Sequence, residues 1–229
     1  MNIRNIPEIQ GVIVGNPALI VIDYQNDFLD PGSPIECVGA VTALKNSIPV
    51  IEKAHEIGIP VIFTQEYHRD PEIFGLLDMG READGEDPLH TVIGTRGFEL
   101  SDMLLPLKKS DYVMRKPRYS CFFATDLDMV LRSHKIDTLI ITGVCTNICV
   151  HYTFIDAHQR DYWVRIPEDC VAAPSMESHE AALRQMRYLQ AESIQSAETI
   201  INALDEYNRK KMPTKGGSPY EILYKCIET

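Results

Sequence analysis

Short apolar runs rich in β-branched residues recur along the chain and predict strands. The clearest are Ala18–Asp23, Pro60–Thr64 and Thr138–Thr142, whose nearly continuous hydrophobicity is typical of strands buried on both faces. The polar, turn-rich stretch after the first run predicts a loop. Further strands are predicted at Tyr112–Lys116, at Tyr162–Ile166 and, at the edge of the sheet, at Ser193–Ile194.

Most segments between these runs carry apolar residues at helical spacing. Val41–Gly58 shows this pattern, and Gly58 stands where a helix is expected to end. Strands that alternate with helices require a parallel sheet with right-handed crossovers. We therefore expect an α/β fold with three layers, an open and mostly parallel sheet with helices on both faces. Further helices are predicted at Thr125–Ser133, Asn147–Gln159, Ser178–Leu189 and Ala197–Tyr207.

The composition fits one large globular domain. The chain has 229 residues, of which 45% are hydrophobic and 24% charged, and a chain of this length buries enough apolar surface to fold without disulfides or a structural metal. We assign residues 1–211 to the domain. Residues 212–229 carry prolines, two glycines and the segment YEILYKC, and we interpret them as a C-terminal tail able to pack on a neighbouring subunit.

The charge balance and the amino terminus exclude several classes of partner. The chain has 33 Asp and Glu residues and 22 Lys and Arg residues, which gives a net charge of −11. Because this charge repels phosphate backbones and anionic lipids, we expect neither nucleic acid nor membrane partners. The first residues lack a secretory signal pattern, and no apolar run approaches the ~18 residues of a membrane span. We expect a cytoplasmic protein with a small-molecule substrate and six free cysteines.

Reactive side chains follow three of the predicted strands. Asp23 and Lys116 each end a strand, and Cys149 lies at the start of the helix after Thr138–Thr142. Ligands of open parallel sheets bind beyond the carboxyl ends of the strands, so we expect these side chains to meet at that edge. No phosphate-binding glycine loop and no serine-nucleophile motif accompanies them.

A carboxylate, an ammonium and a thiol can together perform acyl transfer. Asp23 would accept the thiol proton of Cys149 and return it to a leaving amine, while Lys116 orients Asp23. An ammonium and a helix N-terminus both favour a thiolate, and a charge pair at ~4 Å is worth about 4 kcal/mol at an effective dielectric of ~20. We therefore expect the pKa of Cys149 to be lowered.

Three segments resemble the isochorismatase-like cysteine hydrolase superfamily. They are VIDYQNDF around Asp23, KPRYSCFF after Lys116 and TGVCTNICV around Cys149. The resemblance extends roughly from Ala18 to Glu192. It implies a Rossmann-type α/β fold in which the three residues form a catalytic triad.

The resemblance also implies details of the site and of the reaction. The peptide between Val144 and Cys145 is expected to be cis, with the amides of Cys145 and Cys149 as an oxyanion hole. The presence of Cys149 favours the amide-hydrolysing members, namely nicotinamidases, N-carbamoylsarcosine amidases and ureidoacrylate amidohydrolases. Relatives of this kind are usually dimers or tetramers, so a homodimer or homotetramer is expected.

The segment after the second strand is similar to the metal-binding pattern of nicotinamidases. That similarity makes Glu66, His68 and His90 the ligands of a divalent, zinc-like metal, with Glu in place of the family's Asp. The alternative is a polar network that shapes a pocket wall. The cysteine chemistry itself requires no cofactor. Gln25, Phe28 and Tyr119 follow the strands that carry the triad and are expected to line the substrate pocket, unless they pack only in loops.

Three functions remain open at this stage. The leading one is a cysteine-dependent amidohydrolase that acts on a small carboxamide or N-carbamoyl (ureido) compound and releases ammonia through a thioester. A metal-containing nicotinamidase is an alternative within the same class of enzymes. The third is a non-catalytic protein whose reactive Cys149 senses oxidation, paired with Cys145.

Overall fold

The computed structural model describes residues 11–74 and 88–211. The tail assigned to residues 212–229 lies outside the described residues. The strands are β1 (Pro17–Ile22), β2 (Val61–Glu66), β3 (Tyr112–Lys116), β4 (Thr138–Val144), β5 (Trp163–Pro167), β6 (Val171–Ala172) and β7 (Ile194–Gln195). The helices are α1 (Asn26–Leu29), α2 (Ala40–Glu56), α3 (Pro71–Phe74), α4 (Leu127–Ser133), α5 (His151–His158), α6 (Met176–Leu189) and α7 (Ala197–Lys211).

The strands form one parallel sheet in the order β3-β2-β1-β4-β5-β7, with β6 paired to β4. From β3 to β1, neighbouring strands follow one another in reverse chain order, whereas from β4 onward they follow in chain order. The direction of winding therefore changes between β1 and β4. In open α/β sheets a crevice forms at this change of direction, outside the carboxyl ends of the strands. The predicted α/β fold is confirmed.

Each face of the sheet is covered by helices. Along β1, Leu19 and Val21 face one apolar cluster while Ala18, Ile20 and Ile22 face the other, because successive side chains of a strand point to opposite faces. The first cluster includes buried residues of α2 and α7, and the second includes those of α4, α5 and α6. Three layers result, as predicted.

Several predicted boundaries were wrong in ways that bear on function. Strand β2 continues past Thr64, because Gln65 and Glu66 pair in register with Arg115 and Lys116 of β3. The loop predicted after β1 contains the short helix α1. The helix predicted from Asn147 starts instead as a π-helical turn.

Within residues 11–74 and 88–211, no helix is both long enough and apolar enough to cross a membrane.

A glycine of β4 fixes how closely β1 and β4 approach. Gly143 pairs with Ile22 and has φ +128°, a conformation that side chains rarely adopt. A Cβ at this position would overlap the carbonyl oxygen of Ile22. The close approach brings the end of β1, where Asp23 follows, against the segment that leads to Cys149.

Substitution of Gly143 should therefore disrupt this junction. We expect Gly143→Ala to lower the free energy of unfolding by at least about 3 kcal/mol, because strain and steric overlap add. Gly58→Ala is the matched control: Gly58 also has positive φ, +69°, but a Cβ there meets no atom within 4 Å, so only about 1 kcal/mol of strain is expected. Urea unfolding followed by circular dichroism measures both, and equal losses would contradict the steric argument.

Candidate active site

The carboxyl ends of β1, β3 and β4 bring the three predicted residues together. Asp23 directly follows β1 and is fully buried. Its carboxylate accepts hydrogen bonds from Thr64 Oγ1 at 2.7 Å and from the backbone N–H of Glu66 at 3.1 Å. Both donors belong to the adjacent strand β2, so the sheet itself holds the carboxylate in place.

The Lys116 ammonium lies at the centre of the site. This residue ends β3 and is fully buried. Its Nζ atom is 2.6 Å from Asp23 Oδ2 and 3.3 Å from Cys149 Sγ. Nζ also donates to the carbonyl oxygen of Arg118 at 3.2 Å and lies 3.8 Å from Glu66 Oε1. One cation thus contacts the carboxylate and the thiol of the predicted triad and a second carboxylate.

Cys149 lies in the π-helical turn Thr146–Val150 that joins β4 to α5. The peptide between Val144 and Cys145 is cis. The carbonyl oxygen of Cys145 accepts hydrogen bonds from the N–H groups of Ile148 and Val150, both at 3.1 Å. The amides of Cys145 and Cys149 belong to the start of this helical segment, where N–H groups lack acceptors within the helix. They are therefore suitable donors to an oxyanion.

The pKa expected for Cys149 was wrong in direction. Burial raises the pKa of this thiol well above its ordinary value, and the Glu66 carboxylate raises it further, whereas Lys116 lowers it by less. Only 2% of Cys149 is exposed, and Glu66 Oε2 lies 3.9 Å from its sulfur. Burial and the Glu66 carboxylate thus disfavour the thiolate form of Cys149. No pattern in the sequence indicated that a second carboxylate would approach the sulfur of Cys149.

The two carboxylates next to Lys116 differ in proton affinity. Burial would raise the pKa of Glu66, but Lys116 and His90 outweigh it and lower the pKa to about 2. Burial raises the pKa of Asp23, and the charge of Glu66 adds to this effect, against the opposing influence of Lys116. Glu66 is thus a fixed anion, and Asp23 is the carboxylate better able to take up a proton.

The predicted metal ligands form one buried cluster beside the triad. Glu66 Oε2 lies 3.7 Å from His90 Nε2, and the rings of His68 and His90 are 4.6 Å apart. Each ring directs Nδ1 at a backbone carbonyl oxygen: His68 at that of His90, 2.8 Å away, and His90 at that of Pro88, 2.7 Å away. These contacts fix the orientation of both rings, as in metal-binding histidines. A carboxylate and two imidazoles are ligand types that a divalent metal accepts.

Asp23, Glu66 and Cys149 also lie close enough together to suggest metal binding. One ligand atom from each lies within 4.8 Å of the others. The Lys116 ammonium, however, already occupies the space among them, at 2.6 Å from Asp23, 3.8 Å from Glu66 and 3.3 Å from Cys149. Lys116 therefore already provides positive charge at this position.

The three predicted pocket residues have different surroundings. Gln25 is fully buried, and its amide group donates to the carbonyl oxygens of Glu66 and Phe98 and accepts from the N–H of Glu66. Gln25 therefore holds the end of β2 in place, and its role in the substrate pocket stays a prediction. Phe28 is buried with its ring 5.7 Å from that of His90. Tyr119 is 38% exposed and packs against Tyr152 at 5.7 Å.

Cys145 is adjacent to a cysteine that the sequence analysis did not connect with it. The neighbouring Cys37 thiol, together with burial, raises the pKa of Cys145 well above its ordinary value. Cys37 and Cys145 lie in the core cluster on one face of the sheet, whereas Cys149 lies in that on the other face. The proposed pairing of Cys145 with Cys149 gains no support from this arrangement.

Comparison with known proteins identifies the family. The isochorismatase domain model matches residues 17–198. The chain belongs to the isochorismatase family. The resemblance stated from the sequence is confirmed, and the prediction of a hydrolase is confirmed with it. The predicted domain limits of 1–211 stay a prediction.

Family members similar to this chain include named amidases. A probable inactive nicotinamidase from Arabidopsis thaliana is 36% identical over 177 residues, 75% of this chain and 88% of the relative. A ureidoacrylate amidohydrolase from Acinetobacter baylyi is 32% identical, with 74% of this chain and 76% of the relative covered. A zinc complex of pyrazinamidase from Pyrococcus horikoshii is 29% identical with a TM-score of 0.67, covering 80% of this chain and 98% of that structure.

Removal of the central ammonium should destabilise the fold. We expect Lys116→Met to lower the free energy of unfolding at neutral pH by about 3–5 kcal/mol, because Asp23 and Glu66 would remain buried without a counter-charge. Cys149→Ala, which keeps all three charges, is the control and should lose much less. Thermal and denaturant unfolding of both variants measure the difference, and similar losses would contradict the central role of Lys116.

The difference in the free energy of unfolding between wild type and Lys116→Met should depend on pH. Lys116 and His90, against burial, lower the folded-state pKa of Glu66 from 4.5 to about 2. The ionised Glu66 carboxylate therefore contributes to the free energy of unfolding. This contribution is complete above pH 4.5 and is lost as the pH falls toward 2. The gap between Lys116→Met and wild type should therefore narrow on acidification.

Proposed function

We propose that this protein hydrolyses a small carboxamide or N-carbamoyl (ureido) compound through a thioester on Cys149. The observation that carries the proposal is the placement of Lys116 Nζ 2.6 Å from Asp23 and 3.3 Å from the Cys149 sulfur. A nucleophile, a base and a fixed cation are thereby within reach of one substrate carbonyl. The ureidoacrylate amidohydrolase from Acinetobacter baylyi supports the reaction class.

The first half of the reaction forms the acyl-enzyme. The Cys149 sulfur attacks the carbonyl carbon, its proton passes to Asp23, and the amides of Cys145 and Cys149 bind the oxyanion. Collapse of the tetrahedral intermediate breaks the carbon–nitrogen bond. Asp23 then gives its proton to the departing ammonia or amine.

The second half releases the acid. Asp23 takes a proton from a water molecule, whose oxygen attacks the thioester carbon. The carbon–sulfur bond breaks, Asp23 gives the proton it took from water to the departing Cys149 sulfur, and the acid leaves. Lys116 remains charged throughout, because Asp23, Cys149 and Glu66 raise the pKa of Lys116 well above its ordinary value despite the opposing effect of burial.

The raised pKa of Cys149 determines how the first step proceeds. A thiolate in this buried space, next to Glu66, is unfavourable. Loss of the thiol proton should therefore accompany carbon–sulfur bond formation, instead of preceding it. Asp23 suits this role, since its own pKa is raised and a stronger base removes the proton more readily.

The burial of the site favours a small substrate. Asp23 and Lys116 are fully buried and Cys149 is 2% exposed, so a bulky acyl group is a poor fit.

A homodimer or homotetramer remains our proposal for the assembly. We retain a cytoplasmic location as a proposal as well.

A metal-dependent nicotinamidase is the second candidate, favoured by the cluster of Glu66, His68 and His90. These residues would hold a divalent ion such as zinc, which would supply a Lewis acid able to bind a substrate heteroatom. The zinc complex of the Pyrococcus horikoshii pyrazinamidase supports this candidate. The cysteine steps described above do not depend on the ion.

The redox-sensing alternative is weaker. A sensor thiol is expected to be accessible and to have a low pKa. Cys149 is 2% exposed, and burial raises the pKa of Cys149. Both properties disfavour oxidation as the main role of this residue.

The proposed mechanism predicts the effect of triad substitutions. Cys149→Ala and Asp23→Asn should each reduce ammonia release by at least about 10⁴-fold, because nucleophile and base act as one unit. A panel of small carboxamides, ureido acids and nicotinamide, assayed for ammonia, identifies the substrate. Cys37→Ala removes another buried cysteine and is the control that should retain turnover. Ammonia release that persists in Cys149→Ala would defeat the thioester.

The metal candidate predicts a different set of effects. Wild-type protein purified without chelators should contain one divalent ion per chain, and a His68→Asn/His90→Asn variant should lose it. Nicotinamide hydrolysis should then fall by at least about tenfold. His134→Asn, outside the cluster, is the control for histidine loss. Elemental analysis that finds the same metal content in the cluster variant and wild type would exclude this site.

A further inference from the structure

A cavity lies at the end of the strands opposite to the triad. It has a volume of about 380 Å³ and is formed by the end of α5, the start of β5 and the turn after α6. Trp163 at its base pairs with Thr138, the first residue of β4, whereas Cys149 follows the other end of that strand. Six steps along β4 separate the two sites by roughly 20 Å.

Arg165 lines this cavity and is 1% exposed. Its Nε atom donates to the carbonyl oxygen of Val12 at 2.6 Å, and Nη1 donates to that of Val164 at 2.9 Å. The third nitrogen, Nη2, is buried and has no hydrogen-bond partner among residues 11–74 and 88–211. Two of the three guanidinium nitrogens are thus held by backbone carbonyl oxygens, whereas the hydrogen-bonding capacity of the third is unused within those residues.

The charge of Arg165 also lacks a counter-ion among the residues that the structure describes. Within the described part of the chain, no carboxylate forms an ion pair with this guanidinium. Glu192 acts on it only through space, and burial lowers the pKa of Arg165 from its ordinary value. A guanidinium nevertheless stays charged in proteins. Buried charges are ordinarily paired, so this arrangement is costly until an anion binds.

The rest of the cavity restricts what that anion can be. Asp161 and Glu192 are exposed and line the cavity, and two carboxylates repel a doubly charged ligand such as phosphate. Trp163 and Leu189 provide apolar lining, and the Arg165 guanidinium lies 6.0 Å from the Trp163 ring centroid. A buried cation and exposed anions match a ligand with the opposite arrangement of charge.

We propose that this cavity binds a small zwitterion of the aliphatic amino-acid type. Its carboxylate would accept hydrogen bonds from Arg165 Nη2, its ammonium would face Asp161 and Glu192, and its aliphatic side chain would pack on Trp163 and Leu189. The volume is within the range of small-molecule sites, roughly 300–1,000 Å³. The site is separate from the triad, so occupancy does not depend on the proposed reaction.

The composition of the chain provides a direct probe of the site. Trp163 is the single tryptophan among the 229 residues, so intrinsic tryptophan fluorescence reports on this cavity alone. The experiment titrates the full chain with L-leucine, with 4-methylpentanoate, which lacks the ammonium, and with 3-methylbutylamine, which lacks the carboxylate. We expect a saturable change with leucine and at least about tenfold weaker binding of both analogues.

Variants then assign the contacts. Arg165→Met should weaken leucine binding by at least about tenfold, whereas Arg187→Met, an exposed arginine of α6, should not. The double variant Asp161→Asn/Glu192→Gln lacks both carboxylates that would face the ammonium. It should bind leucine only as weakly as the wild-type protein binds 4-methylpentanoate. Circular dichroism checks that each variant folds.

The outcomes separate clearly. No saturable change with leucine, or an unchanged affinity in folded Arg165→Met, would overturn the proposal. If Arg165→Met does not fold, the Asp161→Asn/Glu192→Gln variant decides: unchanged leucine affinity there also overturns it. Ammonia release from amide substrates is measured in parallel, so failure here is distinguishable from failure of the triad mechanism.

Discussion

One buried ammonium holds the active site together. Lys116 is fully buried, contacts Asp23 and Cys149 directly and lies near Glu66. Without this cation the two carboxylates would repel each other in a space with little water to screen them. The position of Asp23 and the fixed charge of Glu66 follow from how one positive charge is shared, whereas the raised pKa of Cys149 comes first from burial.

The sheet order explains why these groups meet. The three strands that carry them are β1, β3 and β4, and the winding reverses between β1 and β4. Polar donors from β2, Thr64 Oγ1 and the Glu66 amide, hold the Asp23 carboxylate. The catalytic geometry is therefore a property of strand register, and the helices contribute mainly by covering both faces.

Periodicity and residue type predicted the strands, the two helical layers and the convergence of Asp23, Lys116 and Cys149, because each depends on local pattern and parallel topology. The pKa of Cys149 could not be predicted, since it depends on the distance from Glu66, a residue 83 positions away in the chain. The hydrogen bonds of Gln25 could not be predicted for a similar reason, since they join its amide to Glu66 and Phe98, which lie far along the chain. Sequence pattern identifies the participants, and only packing reveals their partners.

The central position of β4 also has a consequence for biosynthesis. β1 pairs with β4, whose residues emerge from the ribosome more than a hundred positions later. Until β4 has been synthesised, the edge of β1 that pairs with it exposes unpaired N–H and C=O groups. Exposed strand edges of this kind promote self-association. The nascent polypeptide thus passes through an interval in which it is vulnerable to aggregation, which ends when Thr138–Val144 is inserted.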